Sequence, residues 1–441
     1  MASLKDKLTI AIDIGTAQSA VAVAYVAKDG TPWSTLVDSW PGQEHDLQLA
    51  RVPTALLYSM DDELLACGAE VQRVLQSDLH IGGPARYKKP QYFKMQLHPE
   101  RPAVVDPRLS IPLARMYGDY LRYLLQHTRA HLRRYLGFDP WAVVRDEAII
   151  VLSHPNKWRS DQQLILRQAA IAAGLVVPRD VTSRLHFVEE AEAAASFALL
   201  DYPNLNGILK IGAKFVVCDA GGSTVDISSY VVKSQKNQKS RANSSIEIDE
   251  LAAPFSLDAG GIYVDMGFSL HFTEALAPHL AENPQELQTT IDDAMADFES
   301  FAKRRFNSPS DTMQVKCGPR RLNIPEAGVR KGVLEIPGPV AAGFFQPTVE
   351  TTANGLLGVK NTQEVSIIIL TGGFAESSYF KREIRERLEA SLGCQIILAN
   401  HATSKAVVVG ALYLVHGMGQ SIKIKRKPRS LKSWLWERFA R

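Results

Sequence analysis

Three observations predict an α/β fold of two similar lobes with a ligand cleft between them. First, the segments Leu8-Thr-Ile-Ala-Ile-Asp-Ile-Gly-Thr16 and Phe215-Val-Val-Cys-Asp-Ala-Gly-Gly-Ser-Thr224 share one plan. Each is an apolar run that ends in Asp, then Gly, then a hydroxyl residue, before a second apolar run. Second, strand-like and helix-like patterns alternate in both halves of the chain, as they do in α/β proteins. Third, 441 residues exceed what one hydrophobic core usually supports.

The two hairpins carry the chemistry. An apolar run of this kind reads as a buried strand. Glycine after it allows a tight turn and a close approach of backbone N–H groups to a ligand. A hydroxyl can donate to a phosphate oxygen, and an aspartate can hold a hydrated metal ion. One such hairpin is an ordinary turn. Two, each after a strand and 206 residues apart between Asp13 and Asp219, point to a polyphosphate clamped between duplicated halves.

The elements follow in order. The first strand, residues 8 to 14, turns at Gly15 and returns through Ala20–Tyr25. Residues 29 to 60 read as short strands, and residues 78 to 112, rich in Pro, Gly and Lys, as irregular. A long amphipathic helix is predicted over Leu113–Leu136, with Met116, Tyr120, Leu124 and Leu132 on one face. Ala148–Leu152 is a buried strand, and a helix follows over 160–173 with Ser160 as its N-cap. A short strand at 186–188 leads into an Ala-rich helix over 189–200. In the second half, residues 233 to 245 read as an exposed loop, 263 to 306 as mainly helical and 311 to 349 as strand-like. Val365–Leu370 is a strand, followed by a helix through Leu392 and a small-residue helix over 406–414.

Composition bounds the rest. Apolar residues make up 46% and charged residues 22%, ordinary values for a soluble globular protein. The net charge of +3 is unevenly spread: residues 423 to 441 hold eight Lys or Arg against Glu437 alone, which leaves the body net acidic. The body is therefore not a general nucleic-acid binder. Cys67, Cys218, Cys317 and Cys394 form no CxxC pair, so neither a zinc site nor a disulfide framework is expected. No secretory signal and no 18-residue apolar segment is evident, and a cytoplasmic location is the expectation.

Five motifs in this order resemble the actin-like ATPase superfamily, and more closely the nucleotide-binding domain of DnaK-type heat-shock-seventy chaperones. Asp13-Ile-Gly-Thr16 is similar to the first phosphate motif, and Asp219-Ala-Gly-Gly-Ser-Thr-Val-Asp226 to the second. Glu189-Glu-Ala-Glu-Ala-Ala-Ala195 and Lys405-Ala-Val-Val-Val-Gly-Ala411 resemble the two connecting helices. Leu370-Thr-Gly-Gly-Phe-Ala-Glu376 resembles the adenosine motif. The resemblance covers roughly residues 8 to 415. It implies lobe I over 1–210, lobe II over 211–415 and a basic, aromatic tail over 416–441.

The resemblance also implies ATP or ADP with Mg²⁺ as cofactors. Asp13 and Asp219 would orient the hydrated ion, with Asp226 as a further acidic residue of its shell. Gly15, Thr16, Ala17, Gly221, Gly222, Ser223 and Thr224 would face the β- and γ-phosphates. Glu190 matches the carboxylate near the attacking water, and Lys94 the phosphate-contacting lysine, with Lys88 and Lys89 as neighbouring competitors. Gly260, Gly261, Lys303, Arg304, Gly372, Gly373 and Phe374 match positions around ribose and base.

Several positions depart from the chaperone pattern. Ala17 stands for a Thr, Gln18 for an aromatic residue, Ser223 for a Gly, Ala191 for a switch proline, Phe374 for a Ser and Glu376 for an Arg that stacks on adenine. Only about 25 residues follow position 415, so no peptide-binding domain is expected there. These features resemble the divergent heat-shock-seventy branch that is numerous in filamentous fungi. The implied function is an ATP-binding, slowly hydrolysing, chaperone-like regulator of a protein partner. A non-hydrolysing scaffold and a small-molecule kinase of the same superfamily are the alternatives. In the tail, Leu431, Trp434, Leu435 and Phe439 share one face of a predicted helix. That face could dock on the protein itself, on a partner or on an anionic membrane surface.

Overall fold

The computed structural model describes residues 6–43, 50–78, 87–98, 109–156, 158–201, 209–236, 245–359, 364–393, 395–398, 405–416 and 421–426. Two sheets of one plan organise them. In the first, Lys7–Ile14 pairs antiparallel with Gln18–Val26 and parallel with Ile149–His154. Pro32–Leu36 and Leu185–Glu189 extend it on either side. In the second, Lys214–Ala220 pairs antiparallel with Val225–Lys236 and parallel with Ile367–Thr371. Ser245–Glu250 and Gln395–Leu398 extend that one. The repeated hairpin-plus-parallel-strand plan is the predicted α/β architecture. Both central strands are buried almost throughout, as their continuous apolar runs require.

Amphipathic helices cover the outer faces. Leu113–Leu136 buries Met116, Tyr120, Leu124 and Leu132 and packs on Ser160–Ala172. Ser160 is not the cap predicted for the second of these helices. Arg159 holds that position, donating its N–H to Gln162 Oε1 at 2.9 Å, and Ser160 is the first helical residue. In the second lobe the core is aromatic, with Phe268 stacked on Phe298 at 4.1 Å. Phe306, Phe345, Phe374, Tyr379 and Phe380 continue that cluster.

A third core lies between the sheets. It joins Ala11, Ala22 and Val151 of the first to Phe215, Val217, Ile367 and Ile369 of the second. Two helices cross inside it, Glu190–Asp201 and Ala406–His416. Their contact faces are small: Ala193, Ala194, Ala195 and Ala198 on one, Ala406, Gly410 and Ala411 on the other. Small side chains let helix axes approach closely.

Two further readings are corrected. Residues 311 to 349 are strand-like only in their first part, over Met313–Lys316, Val329–Arg330 and Val333–Ile336. A helix occupies Gly338–Leu357, entered through Pro339 in its first turn, where a missing N–H costs nothing. The segment read as a tail begins inside the fold. Ser421–Lys425 is a strand, parallel to Ser245–Glu250. Arg426 then makes a two-pronged contact with buried Glu192, Nε to Oε1 at 2.5 Å and Nη2 to Oε2 at 2.6 Å. The predicted amphipathic tail helix and Cys394 lie outside the described residues.

Candidate functional site

The two hairpin tips meet. Thr16 Oγ1 donates to Ser223 Oγ at 2.7 Å, with one residue from the turn of each hairpin. The tips can approach this closely because Gly222 faces Thr16 and Ala17 across the contact; a Cβ there would lie 3.3 Å from Thr16 Cβ. Gly15 and Gly221 make the turns themselves, and Gly221 N–H donates to Thr224 O at 2.9 Å. The second tip is also tied to the start of helix Gly261–Leu280. Gly260 N–H donates to Ser223 O, Gly261 N–H to Gly221 O and Ile262 N–H to Gly222 O, at 3.0, 3.1 and 2.8 Å. The predicted Gly260-Gly261 pair thus holds the second tip in place.

Four carboxyl groups, from Asp13, Glu190, Asp219 and Asp226, are buried behind the tips together with Lys94. Strand ends place the three aspartates, and Glu190 is the first residue of its helix. Ser153 donates to Asp13 Oδ1 at 2.7 Å. Thr224 donates to Asp226 Oδ2 at 2.8 Å, and Ser256 donates to the other oxygen. Lys94 Nζ donates to Glu190 Oε1 at 2.8 Å and lies 5.6 Å above the Trp158 ring. The competing lysines are elsewhere: Lys88 pairs with Asp62 at 2.6 Å, and Lys89 is exposed.

Electrostatics mark this cluster as short of positive charge. Burial pushes the Asp219 carboxyl up to about 7, and Asp226 and Asp13 add to the shift. Burial drives Glu190 up to about 8; Lys94 pulls it back, while Asp13 and Asp226 push it further. Burial raises Asp226 as well, against the pull of the Ser256 and Thr224 hydroxyls. Burial opposes the charge on Lys94, but Glu190, Asp13 and Asp226 outweigh it and hold its pKa above the usual value. Asp219 Oδ1 is buried without a hydrogen-bond partner among the described residues. An all-oxygen donor set with an orphaned carboxylate oxygen fits Mg²⁺. No three His, Cys, Asp or Glu groups among the described residues converge to ligate one ion directly. The fit is therefore to a hydrated ion held through its waters, as Mg²⁺ commonly is.

The adenosine motif borders the same cluster. Gly372 adopts φ +88°, and a side chain there would strike Asp219 Oδ1. Phe374 is buried, 4.6 Å from Phe380, and its ring lies against Gly261. It belongs to the second lobe's core. Lys303 Nζ donates to Asp265 Oδ1 at 2.5 Å and lies 3.4 Å from Gly261 O. Arg304 is exposed on the following position.

Sequence reasoning missed several residues here. Asp265 fixes Lys303, and burial pushes its carboxyl up to about 6 against the pull of that lysine. Asn156, after the strand Ile149–His154, gives its N–H to Asp226, and neither polar atom of its side chain has a partner among the described residues. Arg51 stands among Asp13, Glu376 and Asp219. Two contacts cross between the lobes beside the cleft: His98 Nε2 to Asp258 Oδ1 at 3.0 Å, and Tyr92 Oη to Glu299 Oε1 at 3.1 Å. Only the Asp-Gly and Gly-Gly motifs announce themselves in sequence. These partners sit in segments with no motif of their own.

No protein-family model matches the chain. Among characterised proteins it is similar to heat shock 70 kDa protein 12B of Homo sapiens. The two are 21% identical in a 512-residue alignment that covers 98% of this chain and 72% of that protein. Heat shock 70 kDa protein 12A of Homo sapiens and of Mus musculus are each 21% identical, over 96% of this chain and 71% of their own length. The identity is low, but the alignments cover nearly the whole chain. In fold the chain is an actin-like ATPase domain, and over nearly its whole length its sequence is similar to divergent heat-shock-seventy proteins.

Proposed function

We propose that this protein binds ATP or ADP with Mg²⁺ between its lobes and hydrolyses ATP slowly, so that the state of the cleft regulates a protein partner in a chaperone-like way. One observation carries the reading: two hydroxyl-bearing hairpin tips meet beside four buried carboxyl groups that, among the described residues, Lys94 and Arg51 oppose. Such a site disfavours its own charges until a cation arrives. When bound, Mg²⁺ would supply that charge and neutralise the phosphates. Asp13 and Asp219 would orient its water shell, while Asp226, held by Thr224 and Ser256, fixes the second tip.

The remaining roles follow from position. Thr16, Ser223 and Thr224 offer hydroxyls at the tips, and their mutual contact would open to admit phosphate oxygens. Lys94 reaches the phosphate side from the first lobe. Glu190, the buried carboxyl beside it, would take the proton of the attacking water. Lys303, held by Asp265, and Arg304 would border the base.

Nucleotide that binds only the folded protein stabilises it by about 2.7 kcal/mol at a hundred times its dissociation constant. A clear rise in melting temperature is expected with millimolar Mg-ATP or Mg-ADP, and most of it should vanish when EDTA removes the metal. Without a cation the carboxylate cluster repels the phosphates. No shift with any Mg-nucleotide would refute the reading. Release of phosphate from ATP, followed over hours, separates a hydrolase from a binder that does not turn over. Phosphate transfer to added sugars or polyols would instead mark a small-molecule kinase.

A further inference from the structure

Arg51 belongs to no motif, yet it stands among carboxyl groups of both lobes. It precedes the short strand Val52–Pro53, which pairs with Gln18 and Ser19 just after the first hairpin tip. That pairing fixes Arg51 in the first lobe. Its guanidinium nevertheless reaches the second lobe: a Cβ built on Gly373 would stand 2.6 Å from Arg51 Nη1. A Cβ on the adjacent Gly372 would strike Asp219 Oδ1. The two glycines therefore run along a narrow gap, with Arg51 at one residue and the metal-side aspartate at the next.

The charges around Arg51 come from both lobes. Asp13 faces it from the first strand, Asp219 and Glu376 from the second lobe, and Arg304 repels it from the helical side. A nucleotide with its terminal phosphates at the hairpin tips and its base by Lys303 and Arg304 must carry its inner phosphates past Gly373. We infer that Arg51 is a nucleotide-binding residue whose guanidinium donates to the α- and β-phosphate oxygens and thereby ties the first lobe to ligand held on the second. The inference rests on the reading of the cleft as an ATP or ADP site. It adds to that reading a phosphate contact that none of the sequence motifs contains.

Arginine suits the task. Its planar fork stays charged when buried and matches a phosphate with two parallel hydrogen bonds. Before ligand arrives, the surrounding carboxylates keep the guanidinium in the gap. Afterwards the phosphates replace them as partners.

The test is affinity for Mg-ADP and for adenosine, measured by competition against a fluorescent ADP analogue, in the full chain and in Arg51→Gln and Arg51→Lys. Arg51→Gln should weaken Mg-ADP by about ten- to a hundredfold and leave adenosine unchanged, because only the diphosphate meets the guanidinium. Arg51→Lys should recover part of the loss, since it restores charge without the fork. Melting of each variant without nucleotide shows whether it folds, and the lysine variant decides if the glutamine one does not. Equal Mg-ADP affinity in the wild type and the folded variants would overturn the inference and leave the nucleotide reading standing. Equal losses for ADP and adenosine would also overturn it, by marking a structural role. A wild type that binds no nucleotide would overturn both.

Discussion

Glu190→Gln is expected to slow ATP hydrolysis by about 10²- to 10⁴-fold while Mg-ATP affinity stays within a few fold of wild type. The amide keeps the shape of the side chain, and its oxygen can still accept the Lys94 hydrogen bond, 2.8 Å long in the native protein. The ability to take a proton is lost, together with the negative charge that faces Lys94. Alanine is the poorer probe, because it would strip buried Lys94 of its partner and add a stability cost to the catalytic one. Single-turnover phosphate release and nucleotide titration, run side by side, check the claim. A wild-type rate in a variant that binds ATP normally would remove Glu190 from the chemistry. A parallel loss of binding would assign it to holding Lys94 instead.

Gly410→Val is expected to destabilise the protein by about 3 kcal/mol or more and to loosen the cleft as well. A Cβ at Gly410 would run into the carbonyl of Ala193 on the crossing helix. Backbone cannot rotate aside as a long side chain can, so the two helices must separate. Their crossing fills the core shared by both sheets, and the displacement would reach both hairpin tips. A matched control is Gly343→Ala, on the exposed side of helix Gly338–Leu357, where nothing lies within 4 Å of the added carbon. That change should be neutral or stabilising by up to about 1 kcal/mol. Urea unfolding of both variants, with nucleotide titration of whatever folds, tests the contrast. Equal stability of the two would contradict the tight crossing.

Most of the elements were legible because their signals are local. The helix over Leu113–Leu136 is legible because its apolar positions recur at helical spacing. Both hairpins could be read because each carries its own strand, its own glycine and its own aspartate. The failures are equally physical. Gly338, Pro339 and Pro347 are helix breakers by local preference, and residues 338 to 349 read as strand-like in sequence although they belong to the helix Gly338–Leu357. Burial of Phe345, Val349 and Leu356 in the aromatic core overrides that weak local preference. Lys423 and Lys425 looked like part of a solvated basic run, whereas alternation with Ile422 and Ile424 on a free sheet edge makes the segment a strand.

The sequence by itself determined the duplicated α/β plan and the two strand-Asp-x-Gly hairpins, and the family resemblance added Glu190 to Asp13 and Asp219, three acids that the fold buries. Strand burial, helical period and turn chemistry depend on neighbours within a few residues, so they survive in a linear reading. Only the tertiary structure decided that Lys94 rather than Lys88 meets Glu190, that Asp265 holds Lys303, that Phe374 faces the core, and that Arg51 reaches Gly373. Each of these depends on residues from tens to hundreds of positions apart being brought within a few ångströms. A charge acts on whatever lies close in space, and no spacing along the chain encodes that distance.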